Sequence, residues 1–153
     1  MDTKLELEKV FNNRLLRTNQ EVLEFERSLE LLINLNDISI LPDLLLGFDD
    51  RTEQHEVMFG LVHGIEKLYK SKMEEGLRLI ASSVSNVINN AKEWMEILHY
   101  RILNHPQVRL AYGIALSQID ITARNTVIDL LKGIKKEDPN MFTISVDEVL
   151  ANI

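Results

Sequence analysis

Apolar residues recur at intervals of three and four along almost the whole chain, and strict two-residue alternation is nearly absent. That period matches the turn of an α-helix, so the chain reads as helix after helix. The first helix is expected from Leu5 to about Arg17, with Val10, Leu15 and Leu16 among its apolar positions. Thr18 and Glu21 fit a capping box that opens a second helix, running to about Leu35. The short piece "SILPDLLL" follows, with Ser39 as its cap and Pro42 in its first turn. Asp49, Asp50 and Thr52 then compete to cap a longer helix, and Glu53 and Glu56 fall near the positive end of its dipole.

Ser71 with Glu74 predicts a capping box for "MEEGLRLIASSVSNVINNA", and "KEWMEILHYRILN" continues until His105-Pro106 stops it. "PQVRLAYGIALSQ" and "ITARNTVIDLLKGIKK" are further helices, broken by Pro139. Ser145 with Glu148 predicts the cap of a last short helix, "VDEVLANI", and "MFTIS" has the only strand character. The expected fold is all-α, with about seven to nine short antiparallel helices in a compact bundle or a short stack of helix pairs. No repeat period of solenoid length favours the stack.

The three prolines and six glycines do not cluster into a linker, and 153 residues fit one helical domain, 1–153. No run approaches ~18 apolar residues, so no membrane span is expected. The opening "MDTKLELEKV" has no apolar signal core, and the absence of cysteine suits a reducing compartment, so the cytoplasm is the expected location. The net charge of -7 argues against nucleic acid as a direct ligand. An acidic surface favours solubility and also steers basic protein partners.

The segment "GFDDRTEQHEVMFGLVHGIE" sets aspartates, glutamates, two histidines and an arginine around one apolar stripe. On a helical wheel Met58, Leu61, Val62, Ile65, Leu68 and Tyr69 form a core-facing stripe, with His55 and Glu66 at its edge and Glu56, His63 and Lys67 on the polar face. A zinc site of the H-E-x-x-H type needs histidines one turn apart, but "HEVMF" has Phe59 at the second position. His63 and Glu66 reverse the order that di-iron bundles use, so no metal or cofactor is expected, and His55 reads as a boundary histidine bonded to a carboxylate. Ser82, Ser83 and Ser85 lie in a helical pattern rather than at a nucleophile elbow, and there is no glycine-rich phosphate loop. The chain is not read as an enzyme.

Gly60 and Gly64, four apart, clear a flat strip for a neighbouring helix or a partner. In "EWMEILHYRILNHP", Trp94 reads as core, whereas Tyr100, Arg101 and Asn104 are interface candidates because residues of these types concentrate at hot spots. Arg101 can instead pair with Asp49 or Asp50 inside the fold.

A Phe-Asp-Asp turn, a Glu-Val-Met-Phe helix running to His-x-x-Glu and a Trp helix ending in Arg-Ile-Leu-Asn together resemble the all-helical immunity-protein family numbered thirty of bacterial polymorphic-toxin systems. The likeness runs from about Glu21 to Ile134. It implies a protein that binds the C-terminal domain of a cognate toxin, a basic one, and blocks it without catalysis. Asp49, Asp50, Glu53, Glu56 and His63 are the first expected contact surface; Tyr100, Arg101 and Asn104 are the second. Two alternatives stand beside this reading. Asp49, Asp50, Trp94 and Arg101 form a structural network while other residues, such as Glu74 and Glu75, meet the toxin; or the chain is a helical-repeat adaptor for some other protein.

Overall fold

A computed structural model describes residues 1–153 and contains eight α-helices and no strand. Helix α1 (Thr3–Asn12) is capped by Asp2, whose carboxylate accepts from the Leu5 N–H at 3.1 Å. It stops five residues short of the expected Arg17. Leu16 takes a left-handed φ of 51°, which no helix continues through, and is held there by nearly complete burial. The turn frees Thr18 to cap α2 (Asn19–Asn34): its hydroxyl accepts from the Glu21 N–H, while the Glu21 carboxylate accepts from the Arg17 N–H. The capping box is therefore present, with its return bond one residue earlier than the standard pattern.

Asp37 rather than Ser39 caps the short 3-10 turn Ile38–Ile40, which runs into α3 (Leu41–Leu45). Helix α4 (His55–Ser71) begins later than Asp49, Asp50 or Thr52, and none of these caps it; Gln54 occupies the N-cap without a side-chain bond. Ser71 does not open the next helix either, because its hydroxyl donates back to the Leu68 carbonyl at 2.7 Å. The corner between α4 and α5 (Met73–Leu103) is so tight that a Cβ at Gly76 would lie 2.7 Å from the Tyr69 Cβ, so glycine is required there.

The two helices expected on either side of Asn90 form one kinked rod, with Ala91 at φ -145°, ψ 42°. Pro106 starts α6 (Pro106–Ser117), and Asp120 caps α7 (Ile121–Glu137). The strand character of "MFTIS" is overridden. Asp138 accepts from the Met141 N–H and Pro139 occupies the first turn, so the segment joins α8 (Pro139–Ala151). Ser145 is buried inside that helix instead of capping it, and Glu148 pairs with Arg109 at 2.7 Å.

Helix α5 is the axis, touching α3, α4, α6, α7 and α8. A stack of helix pairs would bring only neighbouring units together, so the arrangement is a bundle around α5. Forty-one apolar side chains form one contiguous core drawn from all the helices, Trp94 among them. No helix is long and apolar enough to cross a membrane.

Candidate functional site

The loop before α4 carries the two aspartates. Asp49 is fully buried and accepts from Arg51 through both the backbone N–H (2.9 Å) and the guanidinium (3.1 and 3.0 Å), and from Arg14 Nε at 3.1 Å. Burial alone would raise its pKa. The Arg51 hydrogen bonds and the Arg51 and Arg14 charges outweigh that, and hold the carboxyl below the usual range. Asp50 is half-buried and reaches the kink in α5. Its carboxylate accepts from the Glu93 and Trp94 N–H groups at 3.1 and 3.3 Å, and its own N–H donates to the Asn90 carbonyl at 2.9 Å. It therefore caps the second half of α5 from a loop more than forty residues away.

A further bond, from the Glu53 N–H to the Leu15 carbonyl at 2.9 Å, ties this loop to the turn between α1 and α2. Trp94 completes the clamp. Phe48 stacks on it at 5.9 Å, and His55 and Phe59 meet it edge-on at 5.7 and 5.1 Å. His55 thus rests against an aromatic face and not, as expected, in a carboxylate bond.

These positions decide which expected contacts reach the surface. Asp49 cannot touch a partner in this conformation, and Asp50 spends its carboxylate on α5. Glu53, Glu56 and His63 are exposed. His63 lies on a groove of about 360 Å³ between α2 and α4, beside Glu26, Glu30, Gly60 and Lys67. Of the two strip glycines, Gly64 serves internal packing, because a Cβ there would meet Ile33 Cδ1 at 2.7 Å; at Gly60 the nearest atom is 3.9 Å away.

Arg101 pairs with neither Asp49 nor Asp50. Its Nε lies 2.9 Å from Glu66 Oε1 on α4, although the N–H does not point at that oxygen. Glu66 Oε2 and the Tyr69 hydroxyl beside it are also buried without a hydrogen-bond partner, and burial pushes the tyrosine pKa well up. Elsewhere along α5, His99 donates from Nδ1 to the Met95 carbonyl at 2.6 Å and accepts from the Tyr112 hydroxyl at 2.6 Å. Complete burial lowers its pKa to about 4, so it is a neutral core residue at pH 7. No group of three or more His, Asp or Glu gathers where it could hold a metal ion.

Tyr100 is half-buried and stacks on Phe142 of α8 at 5.1 Å; Asn104 is exposed at the C-terminus of α5. Sequence reasoning missed the counterparts: Arg14 for Asp49, the α5 backbone for Asp50, Glu66 for Arg101 and Phe142 for Tyr100. Only Glu66, at the edge of the apolar stripe of its helix, carried a signal that could have found it.

Residues 12–112, more than half of the chain, match the family model Immunity protein 30. The chain belongs to that family. The span starts and ends earlier than the expected Glu21–Ile134. No match to the chain was found among curated proteins or among solved structures. In this Immunity protein 30 chain the matched span holds the Asp49–Asp50 clamp, Trp94 and the Glu66–Arg101 pair, while α7 and α8 lie beyond it.

Proposed function

We propose that this protein binds the C-terminal domain of a cognate bacterial toxin and neutralises it by covering its working surface, with no turnover of its own. The observation that carries this reading is the Immunity protein 30 match over residues 12–112. The charge of -7 supports a basic partner surface, such as a nuclease offers its substrate, and direct binding of nucleic acid or membrane has no part in it. The encounter takes place in the cytoplasm.

Glu53 in the loop before α4 and Glu56 and His63 on α4 steer the partner in, and Tyr100, Arg101 and Asn104 towards the end of α5 supply contacts that slow dissociation. Asp49 and Asp50 act from behind, by holding the loop and the kinked helix in place. Co-purification of the tagged chain from cells carrying its native gene neighbourhood tests the reading. One toxin domain should come down in equal amount, and deleting this gene should arrest growth. An unaccompanied protein and unimpaired growth would favour an adaptor that serves another protein.

A further inference from the structure

We infer that the pocket between α5 and the α7–α8 corner is the hot spot of this surface, and that it takes a lysine or arginine side chain from an apolar-flanked segment of the toxin domain. The inference rests on the immunity reading. It goes beyond that reading because Glu137, Met141, Phe142 and Ile144 lie outside the residues the family match covers.

The pocket has a volume of about 410 Å³. Its aromatic floor is the stacked pair of Tyr100 and Phe142, whose planes are 15° apart. Aromatic faces attract cations, arginine above all. Three carboxylates act on the Tyr100 phenol: Glu96, one turn back on α5, and Glu137 and Asp138 at the corner. None of the three joins an ion pair, whereas Lys135 nearby on α7 is held by Asp147 at 2.8 Å. Lys92, one turn before Glu96, is the cation that acts on that carboxylate. Asp138 spends its carboxylate on the Met141 N–H at 3.3 Å, so Glu137 is the pocket-lining carboxylate left without a partner, and its repulsion with Glu96 is what an incoming cation would relieve. The raised pKa values of Glu96 and Tyr100 reflect burial first and that crowding second.

The rim is apolar. Met141 lines the pocket and is 63% exposed; Ile144, its neighbour one turn on along α8 and just outside the lining, is 73% exposed, the highest among the large apolar side chains of the chain. An aromatic floor, the unpaired Glu137 and an apolar rim form the anatomy of a desolvated anchor site for a basic residue. A second copy of this chain is a poor occupant, since it would bring more negative charge to an acidic pocket.

The test titrates the toxin C-terminal domain encoded directly beside this gene into the full-length chain. Three proteins are compared: wild type, Met141→Ser with Ile144→Ser, and Glu137→Lys. Met141, Ile144 and Glu137 are all exposed, so the helical signal and melting temperature should hold, and a fall in either would be repeated with Ile144→Ser alone. Each variant should bind at least about ten-fold more weakly, the loss expected when a hot-spot contact is removed. Glu137→Lys should also flatten the dependence on salt. Variants that bind as tightly as a binding wild type overturn the pocket and leave the immunity reading intact. A wild type that does not bind overturns the immunity reading, and the pocket with it. Self-association of the wild type that the variants abolish would make a second copy the occupant and overturn the proposal.

Discussion

Two acidic clusters lie along the second half of α5, and they differ in where their charge goes. At the kink, Asp49 and Asp50 accept from two guanidinium groups and three backbone N–H groups. Further along, Glu96, Glu137 and Asp138 crowd Tyr100, and none of them joins an ion pair. The first cluster spends its charge on the fold; in the second, Asp138 caps α8, while Glu96 and Glu137 keep theirs for an outside cation. A run of aspartates in a sequence is therefore no measure of an acidic binding surface; what counts is whether the fold has already neutralised it.

The sharpest way to break this contrast is Asp49→Ala. It removes the buried partner of Arg14 and Arg51, and Arg51 can turn to water while Arg14 is largely enclosed. The expected cost is about 3 kcal/mol, the low end for breaking a buried ion pair. For a chain of this size that lowers the melting temperature by roughly 6–12 °C. A melting temperature unchanged within error would show that the clamp carries no weight. Asp50→Ala should cost less, about 1 kcal/mol for a lost helix cap, with Asp50→Asn restoring most of it. Thermal melting of the pair checks this; equal melting temperatures would mean that the kinked half of α5 needs no cap.

The contrast also explains what was legible in the sequence. Helices follow from a period of 3.6, and caps such as Thr18 are readable because donor and acceptor lie three residues apart. Asp50 meets its donors 43 and 44 residues away, so the same residue type in the same kind of loop looked like a cap for the wrong helix. Ser71 and Ser145 fitted a cap pattern but bond to carbonyls within their own helices, which serine does readily. "MFTIS" looked strand-like because threonine and isoleucine are β-branched, yet one aspartate and one proline at its start were enough to set it in a helix. Tyr100 and Asn104 were singled out by residue type alone. The pocket they line depends on α8 folding back beside α5, a tertiary placement with no local signature.

The smallest effect separates the two clusters most cleanly, because it has opposite signs in them. The Asp49 carboxyl is lowered in the fold, so its contribution to stability is present above the unfolded carboxylate pKa, near 4, and is lost as the pH falls through its lower folded value. The Glu96 carboxyl is raised, by burial first and by Glu137 next. The folded state then holds its proton more tightly than the unfolded chain does, and stability is lost as the pH rises through the carboxylate range. Asp49→Asn should therefore melt below wild type at pH 7 and approach it near pH 3. Glu96→Gln should melt slightly above wild type at pH 7, match it near pH 3, and bind the toxin domain more weakly. A Glu96→Gln protein that melts lower than wild type at pH 7 would mean that this carboxylate already has a favourable partner within the fold, and the distinction between spent and available charge would fail at the pocket where it matters most. A slightly higher melting temperature with weaker binding would mark Glu96 as a residue kept for its partner at some cost to the free protein.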